Sequence, residues 1–246
     1  HDENDAPLMQ RLARMHTTLC PDLEWTAEHC LNPKPKDAQR RVRVGFVSMF
    51  FHGHTIGKLT LGIIENIDRD LVDLRVFMTR DKVDSMSRAI EAAAEKTVFM
   101  DPDLDSARRA IAAEELDVLF YPDIGMHPFT YFLAFSRLAP VQAVSWGHPV
   151  STGIPAMDYF LSAEDLEPEG AEEDYSETLI RLGHLPTCYS RPFTPEPADD
   201  RALFGFPDDA TLYLCPQTLF KLHPDFDAVL GHILRRDANG RIVLIA

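Results

Sequence analysis

From Val42 onward, short apolar runs rich in β-branched residues alternate with segments whose apolar positions recur at helical spacing. That rhythm constrains the fold more than any other feature of the chain. VRVGFVSM (42–49) has the composition of a buried strand, and 57–67 then carries Leu59, Leu61, Ile63, Ile64 and Ile67 at helical intervals. Further strands are expected at 72–79, 97–100, 117–121 and 141–146, with helices at 86–94, 106–115 and 131–137. Strands separated by helical patterns of about 10–15 residues build βαβ units and a mostly parallel sheet. The reading is an open α/β domain.

Domain limits follow from where the rhythm breaks. Residues 1–40 begin in a helical pattern (LMQRLARMHTTL) and pass into polar, proline-rich NPKPKDAQRR. This is a helical arm and linker, or the tail of an upstream domain. Residues 41–195 form the first α/β domain. Within it, 163–177 carries eight carboxylates and reads as a solvated loop. Prolines 186, 192, 195 and 197 mark an interdomain connection. Beyond them the rhythm restarts with a strand at 211–215, a helix at 224–236 and a strand at 241–245, opening a second domain over 196–246. The last residues, IVLIA, fall in mid-strand, so this second domain reads as truncated and the chain as part of a longer protein.

Composition removes several classes of function. Lys and Arg number 24 against 39 Asp and Glu, a formal charge of −15 with no basic cluster. Such a chain repels phosphate backbones, so nucleic acid is excluded as a partner, although a small anion could still be held by a few cations. No stretch approaches the roughly 18–20 apolar residues of a membrane span. Four cysteines (20, 30, 188, 215) form no CxxC pair, and the charged N-terminal segment lacks a secretion core, which fits a reducing, cytoplasmic setting.

Chemistry is expected in the loops after the strands, where open α/β sheets bind ligands. After the first strand, His54 and Thr55 stand between Gly53 and Gly57. His54 could act as a general base or be a structural histidine. His52 and His54 lack a third ligand at zinc spacing, and the glycines do not match a dinucleotide fingerprint. Asp123, Gly125, Met126 and His127 follow another strand. Gly147, His148, Pro149, Ser151 and Thr152 make a polar loop that could be a ligand loop or a plain turn. In the second domain, Gln217, Thr218 and Lys221 precede His223-Pro224. Lys221 could neutralise a phosphate with help from the following helix dipole, or be an ordinary surface lysine.

Taken together, VGFVSMFFHGHTIGKL, RLAPVQAVSWGHP with MDYFLS, SETLIRL and PQTLFKLHP resemble glycosyltransferase family 41. The likeness runs from about residue 10 to 246. This family contains the O-linked N-acetylglucosamine transferases and bacterial N-glucosyltransferases, and the wording of GMHPFTYFLA and SETLIRL is closer to the latter. The resemblance implies a GT-B fold of two Rossmann-like domains facing a cleft. It also implies an inverting, metal-independent transfer of N-acetylglucosamine or a hexose from a UDP-sugar to a protein side chain, Ser/Thr or Asn. By motif, His54 corresponds to the active-site histidine, and Gln217, Thr218 and Lys221 to the donor-binding group. Thr55, Met126, Gly147, His148 and Pro149 correspond to the sugar and acceptor side. No cofactor or metal is implied, because the UDP-sugar is a substrate. Two other readings stand beside it: a GT-B module that binds polypeptide or nucleotide sugar without transfer, and a nucleotide-sugar epimerase, for which Asp123 would be the proton-abstracting carboxylate.

Overall fold

The computed structural model describes residues 4–33, 39–192, 194, 196 and 201–245. Residues 34–38, half of the expected linker, and part of the proline-rich connection therefore lie outside the described residues. The chain divides into two compact bodies, His1–Arg191 and Pro192–Ala246.

The first body opens with α1 (Ala6–Leu19) and a short α2 (Glu28–Leu31). It continues as β1 (Val42–Val47), α3 (Thr55–Asn66), β2 (Val72–Met78), α4 (Ser85–Ala93), β3 (Lys96–Phe99), α5 (Leu104–Ala112), β4 (Val118–Tyr121), α6 (Pro128–Leu133) and β5 (Val141–Val144). Two further strands, β6 (Tyr159–Ala163) and β7 (Thr178–Leu182), complete a seven-stranded sheet in the order β3-β2-β1-β4-β5-β6-β7. Every pairing in it is parallel, with Phe46 opposite Val76 on one side and Phe120 on the other.

Alternation along the strands sends neighbouring side chains to opposite faces, and both faces are covered. On one face, Phe46, Leu74, Val76 and Phe120 pack with Ile56 and Ile64 of α3 and Ile90 of α4. On the other, Phe77, Leu119, Tyr121 and Phe160 pack with Ile111 of α5 and Leu133 of α6. The N-terminal segment joins this second cluster through Ala13 and Leu23. Its backbone is also tied in, since Ala27 N–H donates to the Arg137 carbonyl at 2.9 Å and Arg137 N–H to that of Trp25 at 2.8 Å. The arm is thus packed into the first body rather than standing apart from it.

β6 and β7 fall where the sequence suggested no strand, on either side of the acidic run. That run is not wholly solvated: Glu177 is buried, and Glu167 accepts from the Ser162 and Tyr175 hydroxyls.

The second body contains β8 (Thr211–Thr218), α7 (Phe226–Arg236) and β9 (Gly240–Ile245), with β8 and β9 parallel. β8 runs three residues beyond the expected strand, with an irregularity between Cys215 and Thr218. No helix among the described residues is long and apolar enough to cross a membrane.

Candidate functional site

Strand order in the first body reverses between β1 and β4, because the chain steps outward to β2 and β3 before returning to the other side of β1. At such a switch point the loops beyond the strands' carboxyl ends diverge and leave a crevice. The loops after β1, β4 and β5 therefore lie side by side. They carry every first-body residue singled out from the sequence.

One buried carboxylate holds these loops in place. Asp123, immediately after β4, is 0% exposed and accepts from Ser48 Oγ and from the Met49 N–H, both at 3.0 Å. Burial pushes its pKa up to about 7. From the other side the β5 loop closes over the Asp123 backbone. A Cβ on Gly147 would come within 2.5 Å of Asp123 Cα, so only glycine permits the approach. Gly125 has φ +89°, and a Cβ there would meet His148 Cβ at 2.6 Å. Asp123 therefore acts as a tie between loops. A fully buried, hydrogen-bonded carboxylate is badly placed to take a proton from a sugar, which removes the support the epimerase reading drew from it.

His54 is the N-cap of α3. Its Nδ1 accepts the Ile56 N–H at 3.2 Å, and its ring stacks on Phe50 with 4.4 Å between centroids. Burial, then His52, Lys82 and Lys58, hold its pKa below the usual histidine value. Thr55, the first residue of α3, is exposed. Met126 lies in the β4 loop, its N–H donating to the Asp123 carbonyl at 3.0 Å. His148 and Pro149 are exposed in the β5 loop. The next residues of that loop are anchored from below by Glu177. This buried carboxylate accepts from Ser151 Oγ at 2.9 Å, from the Thr152 N–H at 2.9 Å and from the Thr152 hydroxyl.

In the second body, Gln217 and Thr218 end β8 and Lys221 closes a short 3₁₀ turn, all three exposed. The helix expected to open at His223-Pro224 begins two residues later. His223-Pro224 precede α7 rather than opening it, because His223 Nδ1 takes the Asp225 N–H at 3.3 Å and the helix starts only at Phe226. Lys221 thus stands five residues before the start of α7.

Sequence reasoning gave no role of their own to three residues that this geometry brings forward. Phe50 is the ring against which His54 stacks. His127 caps α6 through Nδ1, accepting the Phe129 N–H at 3.1 Å. Glu177 was submerged in the acidic run. Only His127 had a local signal, the proline at the first helical position. Among the described residues, no group of three or more His, Cys, Asp or Glu is arranged to hold a metal ion.

The parallel sheet with helices on both faces and loops diverging at its switch point defines a Rossmann-like architecture, and the structural match is to a GT-B fold. No family model matches the chain. It is 26% identical to a mutant O-GlcNAc transferase from Thermobaculum terrenum of known structure, with a TM-score of 0.76 over 98% of this chain and 44% of that one. It is 24% identical over 223 residues to a probable UDP-N-acetylglucosamine–peptide N-acetylglucosaminyltransferase of Arabidopsis thaliana, covering 84% of this chain and 22% of that protein. Over 79 residues, 32% of this chain and 12% of the other, it is 37% identical to a UDP-glucose:protein N-β-glucosyltransferase of Actinobacillus pleuropneumoniae serotype 5b. The chain thus spans about a fifth or less of these two curated relatives. The assignment to glycosyltransferase family 41 drawn from the sequence motifs fits these relatives and the fold.

Proposed function

We propose that this chain is part of a protein glycosyltransferase that moves N-acetylglucosamine or a hexose from a UDP-sugar to a protein side chain. The observation that carries the reading is the likeness, over nearly the whole chain, to a solved O-GlcNAc transferase, beside the likeness to a probable UDP-N-acetylglucosamine–peptide N-acetylglucosaminyltransferase and to a UDP-glucose:protein N-β-glucosyltransferase. The loops at the β1/β4 switch point support it, since they place His54, Thr55, Met126, Gly147, His148 and Pro149 at neighbouring strand ends.

In this reading those residues line the sugar and acceptor side of the reaction, with His54 at the reacting centre. Gln217, Thr218 and Lys221 belong to the donor side. A cation is what the chemistry asks for there, because the departing UDP gains negative charge in the transition state. The transfer is inverting and needs no metal, and the protein works in the cytoplasm. The domain division at 41–195 and 196–246 is part of the same proposal.

UDP release by the intact protein tests it, with UDP-N-acetylglucosamine or UDP-glucose as donor and peptides bearing Asn or Ser/Thr as acceptors. Acceptor-dependent release that survives EDTA is expected. Conversion of the donor sugar without transfer would instead establish an epimerase. Binding of donor or peptide with no turnover would establish a recognition module.

A further inference from the structure

Two loops at the switch point end in the same local structure, although they share little sequence beyond a histidine. His54 caps α3 and His127 caps α6, and in each case Nδ1 accepts the N–H of the second residue beyond, at 3.2 and 3.1 Å. An imidazole nitrogen that accepts a backbone N–H carries no proton, so the neutral ring holds its proton on Nε2. Both rings are partly exposed, and both lie against Phe50: His54 stacked at 4.4 Å and His127 edge-on at 6.0 Å.

We infer that His54 and His127 each present a neutral Nε2–H donor to oxygen atoms of the substrate, and that neither serves as the proton-accepting base. The inference rests on the transferase reading for its ligand, which is a hydroxyl or carbonyl oxygen of the transferred sugar or of the acceptor peptide. A base at Nε2 would need that nitrogen's lone pair free, which would require moving the proton to Nδ1 and breaking the helix cap. The surroundings favour the neutral ring at position 54. His52 lies 5.8 Å away, Lys58 and Lys82 are cationic neighbours, and Asp84 turns one carboxylate oxygen to the Gly53 N–H at 2.6 Å and the other to its own cap on α4. His127 is the new member of the site, a substrate contact that shares the Phe50 ring with His54.

The test separates tautomer from function. Long-range ¹H–¹⁵N correlation spectra of ¹⁵N-histidine-labelled protein at pH 7 should show both rings neutral with the proton on Nε2. A proton on Nδ1 of either ring overturns the inference even if the protein transfers sugar. Intact protein is then titrated with UDP-glucose, UDP-N-acetylglucosamine and an acceptor peptide in separate arms. The arm that shifts both Nε2–H signals identifies the source of the oxygen, and no shift in any arm overturns the inference. Variants complete the experiment. His127→Ser keeps a capping oxygen but loses the ring N–H, and should lower kcat/KM about tenfold through the KM of that same substrate. His127→Asn, which caps and also brings an amide donor, should recover part of the loss. A serine variant as active as wild type would reduce His127 to a cap. Wild-type protein without transferase activity but with both Nε2–H tautomers and a shifting arm would overturn the proposed function and leave the donor pair standing.

Discussion

Asp123 joins the loop after β1 to the loop after β4 through one oxygen, Oδ2, which accepts from both Ser48 Oγ and the Met49 N–H. Complete burial accounts for a pKa pushed up to about 7, against 3.8 for an unperturbed aspartate. The folded state therefore holds the Asp123 proton more tightly than the unfolded chain does. Its contribution to stability is full below about pH 4, falls as the pH rises toward 7 and changes little beyond. At ~1.4 kcal/mol per pH unit of difference, the loss is on the order of a few kcal/mol. Urea denaturation between pH 4 and 8 should show this decline in the wild type and a flatter profile in Asp123→Asn, which keeps an acceptor but cannot ionise. Equal pH profiles would mean that the carboxyl ionises as easily in the fold as out of it. Lys221 is the residue-scale test of the donor side. Under the proposed function, Lys221→Ala in the intact protein should reduce turnover by roughly 10²–10³ and weaken UDP binding measured by calorimetry. Unchanged UDP affinity would remove this lysine from the donor site.

The β5 loop shows what an element needs beyond its own sequence. Its Ser151–Thr152 corner is fixed by Glu177, 25 residues further along, just before edge strand β7. Glu177→Ala would leave Ser151 Oγ, Thr152 N–H and Thr152 Oγ1 without their carboxylate, at about 1–3 kcal/mol for each buried donor that finds no other acceptor. We expect a fall in denaturation midpoint of that scale and a loss of order at His148, readable as altered loop amide shifts. A variant with wild-type stability and shifts would show that the corner stands without its anchor. The same corner marks the limit of what was legible beforehand. β1 to β5 were recognisable because short, predominantly apolar runs such as VRVGFV and DVLFY suit strands covered on both faces. β6 and β7 escaped because they flank the acidic run, and β7 is an edge strand with only intermediate burial. His54 could be located from its place after the first strand. That its Nδ1 is spent on capping, and that His127 repeats the arrangement, depends on loop conformation no spacing encodes. Glu177 gave no signal, since one buried carboxylate among eight is distinguished only by a long-range contact.

Across the whole molecule, burial is divided very unevenly. Both hydrophobic clusters lie in the first body, where Leu74, Val76, Phe77, Ile111, Leu119 and Phe160 are all withdrawn from solvent. In the second body, α7 has no buried residue, and Leu214, Phe220, Val229 and Leu234 are 64%, 84%, 49% and 45% exposed. A parallel pair such as β8 and β9 contributes backbone hydrogen bonds but little apolar burial, and two strands without a covering core are marginal in water. Local opening should therefore cost little there and approach the global unfolding free energy at the centre of the seven-stranded sheet. Hydrogen exchange on this 246-residue chain measures the contrast directly. Amides of Leu212, Tyr213 and Leu214 should exchange at least about a thousandfold faster than those of Phe46 and Leu119, since a ~4 kcal/mol difference in opening free energy corresponds to roughly that ratio. Mild proteolysis should cut after residue 191 well before it cuts within the first body. Equal protection of the two sets of amides would show that the second body draws stability from a source other than the burial of its own side chains.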